Sequence, residues 1–229
     1  MIASPAAVTI AVPAPRPGWF LCDAVGGPFA AMVGMRDAQG RSAITLVPRG
    51  AGAPSTRVYQ VGMGDAGMSQ IHYPLSQNGR PAGDLHDVQP GVLADPATAW
   101  SPTFSSVTIA GRTLDCRWLP RTLFAGLDAR RSIWVTEGTG GIVYRSFDAA
   151  RPGRAIVGAG LDRSSPATLT IGKGIRDRIA GATRFRFANR GYGYTILVPD
   201  HGAARVMVTR GRRVVQTEVL LGHMLHDPG

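Results

Sequence analysis

Lysine is almost missing from this chain: Lys173 is the only one among 25 basic residues, and the rest are arginine. Glutamate is nearly as rare, with Glu137 and Glu218 alone. The formal net charge of +10 is therefore arginine charge. Arginine suits bidentate pairing with carboxylate or phosphate, and a positive surplus attracts polyanions without specifying one. The scattered acids supply no carboxylate pair of the kind glycoside hydrolysis needs. Two cysteines, Cys22 and Cys116, are too few for a disulfide framework. Neither has a CxxC neighbour, so in a cytosolic chain they read as separate buried thiols; a bond between them would require an oxidising compartment. No apolar run is long enough to span a bilayer, which predicts no membrane insertion. Residues 1–18 lack the basic start and continuous apolar segment of an export signal. They read as an extended lead-in through Pro13, Pro15 and Pro17, and a cytoplasmic address is expected.

What the chain has instead is alternation and tight turns. From Thr183 to Leu221 four runs keep a period of two, the spacing of strands with distinct faces. Phe185 and Phe187 alternate with Arg184 and Arg186; Tyr192, Tyr194, Ile196 and Val198 share one face; Val206 and Val208 follow. The last run, Arg213 to Leu221, is apolar on both sides and reads as a strand covered twice. Asn189-Arg190-Gly191, Asp200-His201-Gly202 and Arg210-Gly211-Arg212 supply the glycines that short hairpins need. Shorter strand signals lie at Trp19–Cys22, Phe29–Met35, Ser42–Val47, Thr56–Val61 and Ser69–Leu75. Others lie at Phe104–Ile109, Arg112–Trp118, Arg131–Glu137, Gly141–Phe147, Ala155–Val157 and Pro166–Ile171. Arg176–Ala180 reads as a helical turn or a bridge. The fold class is mainly β: two packed antiparallel modules of sandwich or small-barrel type, with few short helices. The modules are set at 19–75 and 104–222, joined by a Pro/Gly-rich connector at 76–103 and followed by a mobile tail at 223–229.

Catalytic signals are thin. His86 beside Asp87, with His72 nearby, would suit acid–base work if the geometry converged. Cys116, next to Arg117, is the candidate thiol nucleophile, although strand alternation sends the two side chains apart. There is no GxSxG elbow. Gly138-Thr139-Gly140-Gly141 and Gly172-Lys173-Gly174 read as turns, not phosphate loops. His223 and His226 carry the one ligand-like spacing, without further ligands beside them. No cofactor is expected.

Basic and aromatic residues coincide in the last strands. Arg184, Arg186, Arg190, Tyr192, Tyr194, Arg210, Arg212 and Arg213 are the candidate binding residues, with guanidiniums for anions and rings for stacking. The same chemistry serves a protein partner or a homo-oligomer. Cys116-Arg117-Trp118, the run Phe185 to Tyr192, and Arg210 to Val215 together are similar to small β-barrel lysozyme-inhibitor domains, which open on a cysteine and carry a late Gly/Tyr hairpin. That resemblance covers the second half and implies an exported inhibitor that plugs an enzyme cleft. The half has no second cysteine, and a strongly positive chain approaches a basic lysozyme poorly. The residues thus favour a noncatalytic interaction or assembly protein. A single-stranded nucleic acid or other polyanion is the alternative partner, and a hydrolase with a loop-borne His/Asp site the alternative activity.

Overall fold

In a computed structural model the described residues are 18–149, apart from 26 and 94, and 167–226. The strand expected at Ala155–Val157, Pro166, most of the N-terminal lead-in and the last three residues of the tail lie outside them. The first sheet contains β1 (Gly18–Cys22), β2 (Phe29–Gly34), β3 (Arg41–Pro48), β4 (Ser55–Val61), β5 (Asp65–Gly67), β6 (Gln70–Gln77), β7 (Arg80–Val88), β8 (Phe104–Ile109) and β9 (Arg112–Asp115). All pairings are antiparallel, in the order β1-β2-β3-β4-β6-β7-β8-β9, with β5 beside β6. β1 comes back alongside β8, so the sheet is a nearly closed barrel. Its inward residues, among them Phe20, Val33, Ile44, Leu75, Leu85 and Val107, are buried as one cluster. Cys22, at the end of β1, is disulfide-bonded to Cys116, just after β9. The bond thus ties the first strand of the sheet to the end of its last, which corrects the expectation of two separate thiols.

The second sheet contains β10 (Thr122–Leu127), β11 (Arg131–Gly138), β12 (Gly141–Asp148), β13 (Leu169–Ile179), β14 (Ala182–Asn189), β15 (Tyr192–Pro199), β16 (Arg205–Arg210), β17 (Arg213–Val219) and β18 (Gly222–Leu225). It is antiparallel, ordered β17-β16-β15-β14-β13-β12-β11-β10-β18, and curls into a half-barrel. Phe124, Tyr144, Phe185, Phe187 and Ile196 fill its concave side. The four-strand meander expected over 183–221 is β14 to β17. Its first reversal takes positive backbone angles at Arg190 (φ 48°) and Gly191 (φ 80°), as a two-residue hairpin loop with right-handed strands demands.

The sheets pack through a third apolar cluster. Leu21, Ala30 and Val47 of the first meet Ala125, Leu127, Trp134 and Phe147 of the second. A buried ion pair lies beside it: Arg117 Nε donates to Asp23 Oδ2 at 2.7 Å, both side chains only 3% exposed. The Arg117 guanidinium also sits 3.5 Å from the centre of the Phe147 ring. Arg49 Nη2 donates to Asp23 O and to Ser132 Oγ, so this knot spans both sheets.

Several sequence expectations change. Residues 76–103 are not one long connector. β6 runs to Gln77, β7 fills Arg80–Val88, and two 3-10 turns, Pro90–Val92 and Pro96–Thr98, follow. The first sheet therefore ends at β9, inside the stretch assigned to the second module. Pro81 and Gly83 disguise β7, yet proline is tolerated near a strand start. Gly83 (φ 142°) lies so close to Thr108 that an added Cβ would come 1.7 Å from its carbonyl oxygen. Gly172-Lys173-Gly174 is not a turn but an irregularity inside β13, where the register to β12 shifts. Arg176–Ala180 mostly continues that strand as far as Ile179 and is not helical. Of the tail expected to be mobile from 223, His223–Leu225 is not loose, since β18 pairs with β10. Among the described residues β17 is not covered twice: it is the sheet's edge, with Val214 53%, Val215 47% and Val219 62% exposed.

Candidate functional site

Two clusters answer to the residues that chemistry would need. The first lies on the outer side of the barrel. β6 and β7 place His72 opposite His86 in register. Their rings stack at 4.2 Å with 7° between planes. His72 Nδ1 lies 3.0 Å from Asp84 Oδ2. His86 is held between Gln70 Oε1, 2.7 Å from Nε2, and Ser105 Oγ, 2.8 Å from Nδ1. Because Gln70 Oε1 can only accept, Nε2 carries the proton; the Ser105 hydroxyl lies against Nδ1 and also donates to His86 O at 3.3 Å. A serine hydroxyl donating to a histidine nitrogen is a nucleophile–base pairing. Here, however, Ser105 is 3% exposed, and an amide stands where a carboxylate would stabilise an imidazolium. The contacts fix ring and rotamer; they do not present a reacting atom to a substrate.

The other catalytic candidates do not join this cluster. Asp87 pairs across β6 with Ile71, one step out of phase with His86, and so projects to the opposite face. It accepts from Thr103 Oγ1 at 2.7 Å, and burial raises its pKa. Cys116 has no thiol to ionise, because its sulfur is bonded to Cys22. The His86/Asp87 site and the cysteine nucleophile are therefore both corrected. Sequence reasoning also missed Gln70 and Ser105, and it set Asp84 beside His86 in the chain where the sheet register turns it to His72.

The second cluster comes from the meander. Residues opposite one another in an antiparallel pair project to one face. Arg184 stands opposite Asp177 and Leu197, and Arg186 opposite Thr195, on the convex side. Both guanidiniums engage the Asp177 carboxylate, at 2.6 and 3.1 Å. The Arg184 hydrogen bond, ahead of its charge, holds that carboxyl below its usual range. Tyr194 lies on the concave side opposite Phe187 and Val208, and packs 5.8 Å from Tyr144. The eight candidate binding residues are thus split between two faces and do not make one stacking platform.

One group of them does converge. The β14–β15 turn carries Arg190, and the β16–β17 turn carries Arg212, flanked by Arg210 and Arg213. Both turns lie at the same end of the sheet, since Tyr192 is opposite Arg210 and Arg210 opposite Arg213. The four guanidinium residues are exposed. The Arg210 cation lies 5.7 Å from the centre of the Tyr192 ring. Arg131, Arg178, Arg184 and Arg186 all meet carboxylates. Among the described residues, Arg190, Arg210, Arg212 and Arg213 form no ion pair; exposed Arg57, Arg80, Arg130 and Arg205 form none either, but at this rim four such arginines come together.

His223 and His226 are three apart on an extended segment, so alternation points them to opposite faces. His223 stacks toward Phe124, and burial lowers its pKa; His226 stacks toward Trp100. Among the described residues no group of three or more His, Cys, Asp or Glu side chains is placed to hold a metal ion. No helix among them is long and apolar enough to cross a membrane. Compared with known protein families, curated proteins and solved structures, the chain matches none.

Proposed function

We propose that this is a noncatalytic interaction protein whose hairpin rim receives a carboxylate-rich protein partner. The observation that carries the reading is the convergence of Arg190, Arg210, Arg212 and Arg213 on one rim, exposed and without acidic partners among the described residues. Arginine is the side chain best suited to forked pairing with carboxylates. Exposed Val214 and Val215 adjoin the rim on β17, with Val219 at the far end of the same strand, giving the mixture of apolar area and arginine that protein interfaces favour.

A protein is favoured over a single-stranded nucleic acid because the rings are spoken for. Phe185, Phe187 and Tyr194 belong to the concave core, and Arg210 lies toward Tyr192. A nucleic-acid face needs successive rings open to stacking. Buried disulfides such as Cys22–Cys116 persist in oxidising compartments. The proposal therefore sets the protein outside the reducing cytoplasm, against the address expected from residues 1–18.

Titration with poly-L-glutamate and with oligo(dT), each over a range of salt, tests the reading. Poly-L-glutamate binding that weakens with salt supports it, with oligo(dT) insensitive to Tyr192→Leu. Oligo(dT) binding that collapses in Tyr192→Leu, or no binding of poly-L-glutamate at low salt, rejects it.

A further inference from the structure

Among the described residues, the edge of the second sheet beside the arginine rim is open. β17 pairs with β16 on one side and, among the described residues, with no strand on the other. The remaining sheet ends are differently placed. β18 lies against β1, β1 also lies beside β8, and β9 ends at the disulfide. β17 is seven residues long, contains no proline, and is exposed at every position except Glu218. Open edges of this kind are usually blunted, because their unpaired N–H and C=O groups template a further strand. Here the exposed valines lie on the very strand whose outward backbone groups face no other strand among the described residues.

We propose that β17 accepts an extended acidic segment of a partner protein as an added strand, the segment's carboxylates lying against Arg190, Arg210, Arg212 and Arg213. This rests on the rim reading above and specifies how the partner is held. Main-chain pairing to β17 gives the segment its direction, and exposed Val214, Val215 and Val219 give its apolar side chains something to cover. The charge argues for an acidic occupant over a second copy of this chain: a parallel copy would bring its own rim arginines to the same place, and an antiparallel copy would bring the far end of β17, which offers no free carboxylate. Glu218, the one carboxylate on β17, does not oppose such a segment. It is 15% exposed and turned to Arg131 at 3.0 Å.

The test uses the full chain and two synthetic peptides of equal charge. One alternates valine and glutamate over about the length of β17; the other carries proline at alternate positions and cannot pair as a strand. The alternating peptide is expected to bind about tenfold tighter, because only it adds main-chain pairing to charge. It is also expected to slow hydrogen exchange at alternate amides of β17. Gln216→Pro and Thr217→Pro refine the result. Neighbouring N–H groups point to opposite edges of a strand, so one variant removes a bond to β16 and the other only an outward donor. The outward variant keeps the melting temperature and loses the preference between peptides. Equal binding of both peptides without β17 protection overturns the inference and leaves the rim reading standing. Failure of both peptides to bind overturns the two together. A concentration-dependent dimer that already protects β17 without peptide overturns the inference in favour of a second copy.

Discussion

Breaking the Cys22–Cys116 bond is the perturbation with the most calculable outcome. The cysteines are separated by 94 positions. In the chain-entropy treatment, closing a loop of that size removes denatured-state freedom equivalent to about 4.7 kcal/mol at 25 °C. For a chain of this length that is a fall in melting temperature of roughly 10 °C. Both residues are buried within the barrel cluster, so substitution adds a packing term. Cys22→Ala/Cys116→Ala would leave a cavity where the sulfurs sit, and its loss should exceed that of the reduced wild type. The informative comparison is oxidised protein against protein reduced while unfolded and then refolded under reductant. Guanidinium titration reads the stability difference, and hydrogen exchange reads its location. The extra opening should fall on β1, β8 and β9, the strands at the seam, before β13 to β16. A stability change under about 1 kcal/mol, or exchange increased equally in both sheets, would refute the claim that the bond holds the barrel shut.

The buried ion pair between the sheets gives a second expectation. Arg117→Ala should destabilise by about 3–5 kcal/mol in thermal or denaturant unfolding, because Asp23 would stay buried without its partner; pairing it with Asp23→Ala should recover part of the loss. Gly83→Ala should cost about 2–4 kcal/mol, since the new Cβ meets the Thr108 backbone and cannot swing aside. His223 sets an acid limit. Burial lowers its folded-state pKa below the ordinary 6.5, so its stabilisation is complete above that value. It declines as pH falls from there through the lowered folded value. His223→Asn should flatten that part of the stability–pH curve, and an unchanged slope would remove His223 as its source.

The meander was legible because one face of each strand is apolar and its reversals carry glycine. Phe185, Phe187, Ile196 and Val198 are buried where alternation puts them. β10 was invisible for the opposite reason: all six of its residues are buried, so no period of two survives. β7 was hidden by Pro81 and Gly83, whose role depends on how closely β8 approaches. β17 misled in the other direction, since valines on both faces mimic a strand covered twice, and only the sheet order shows it to be an edge. Composition could not pair Cys22 with Cys116, because barrel closure brings them together across the chain. The arginines were legible as residues but not as a site. Hairpin register decides that Arg184 and Arg186 meet Asp177 while the turn arginines meet no acid among the described residues.

That division can be tested by moving charge. Arg190→Gln/Arg212→Gln neutralises two rim arginines, and Arg184→Gln/Arg186→Gln removes the same charge from the paired arginines of the convex face. Poly-L-glutamate binding at fixed salt is expected to be abolished by the first pair and changed less than about twofold by the second, with both proteins folded by circular dichroism. Equal losses from the two pairs would mean that net charge alone attracts the polyanion, and the rim would have no claim to be the site.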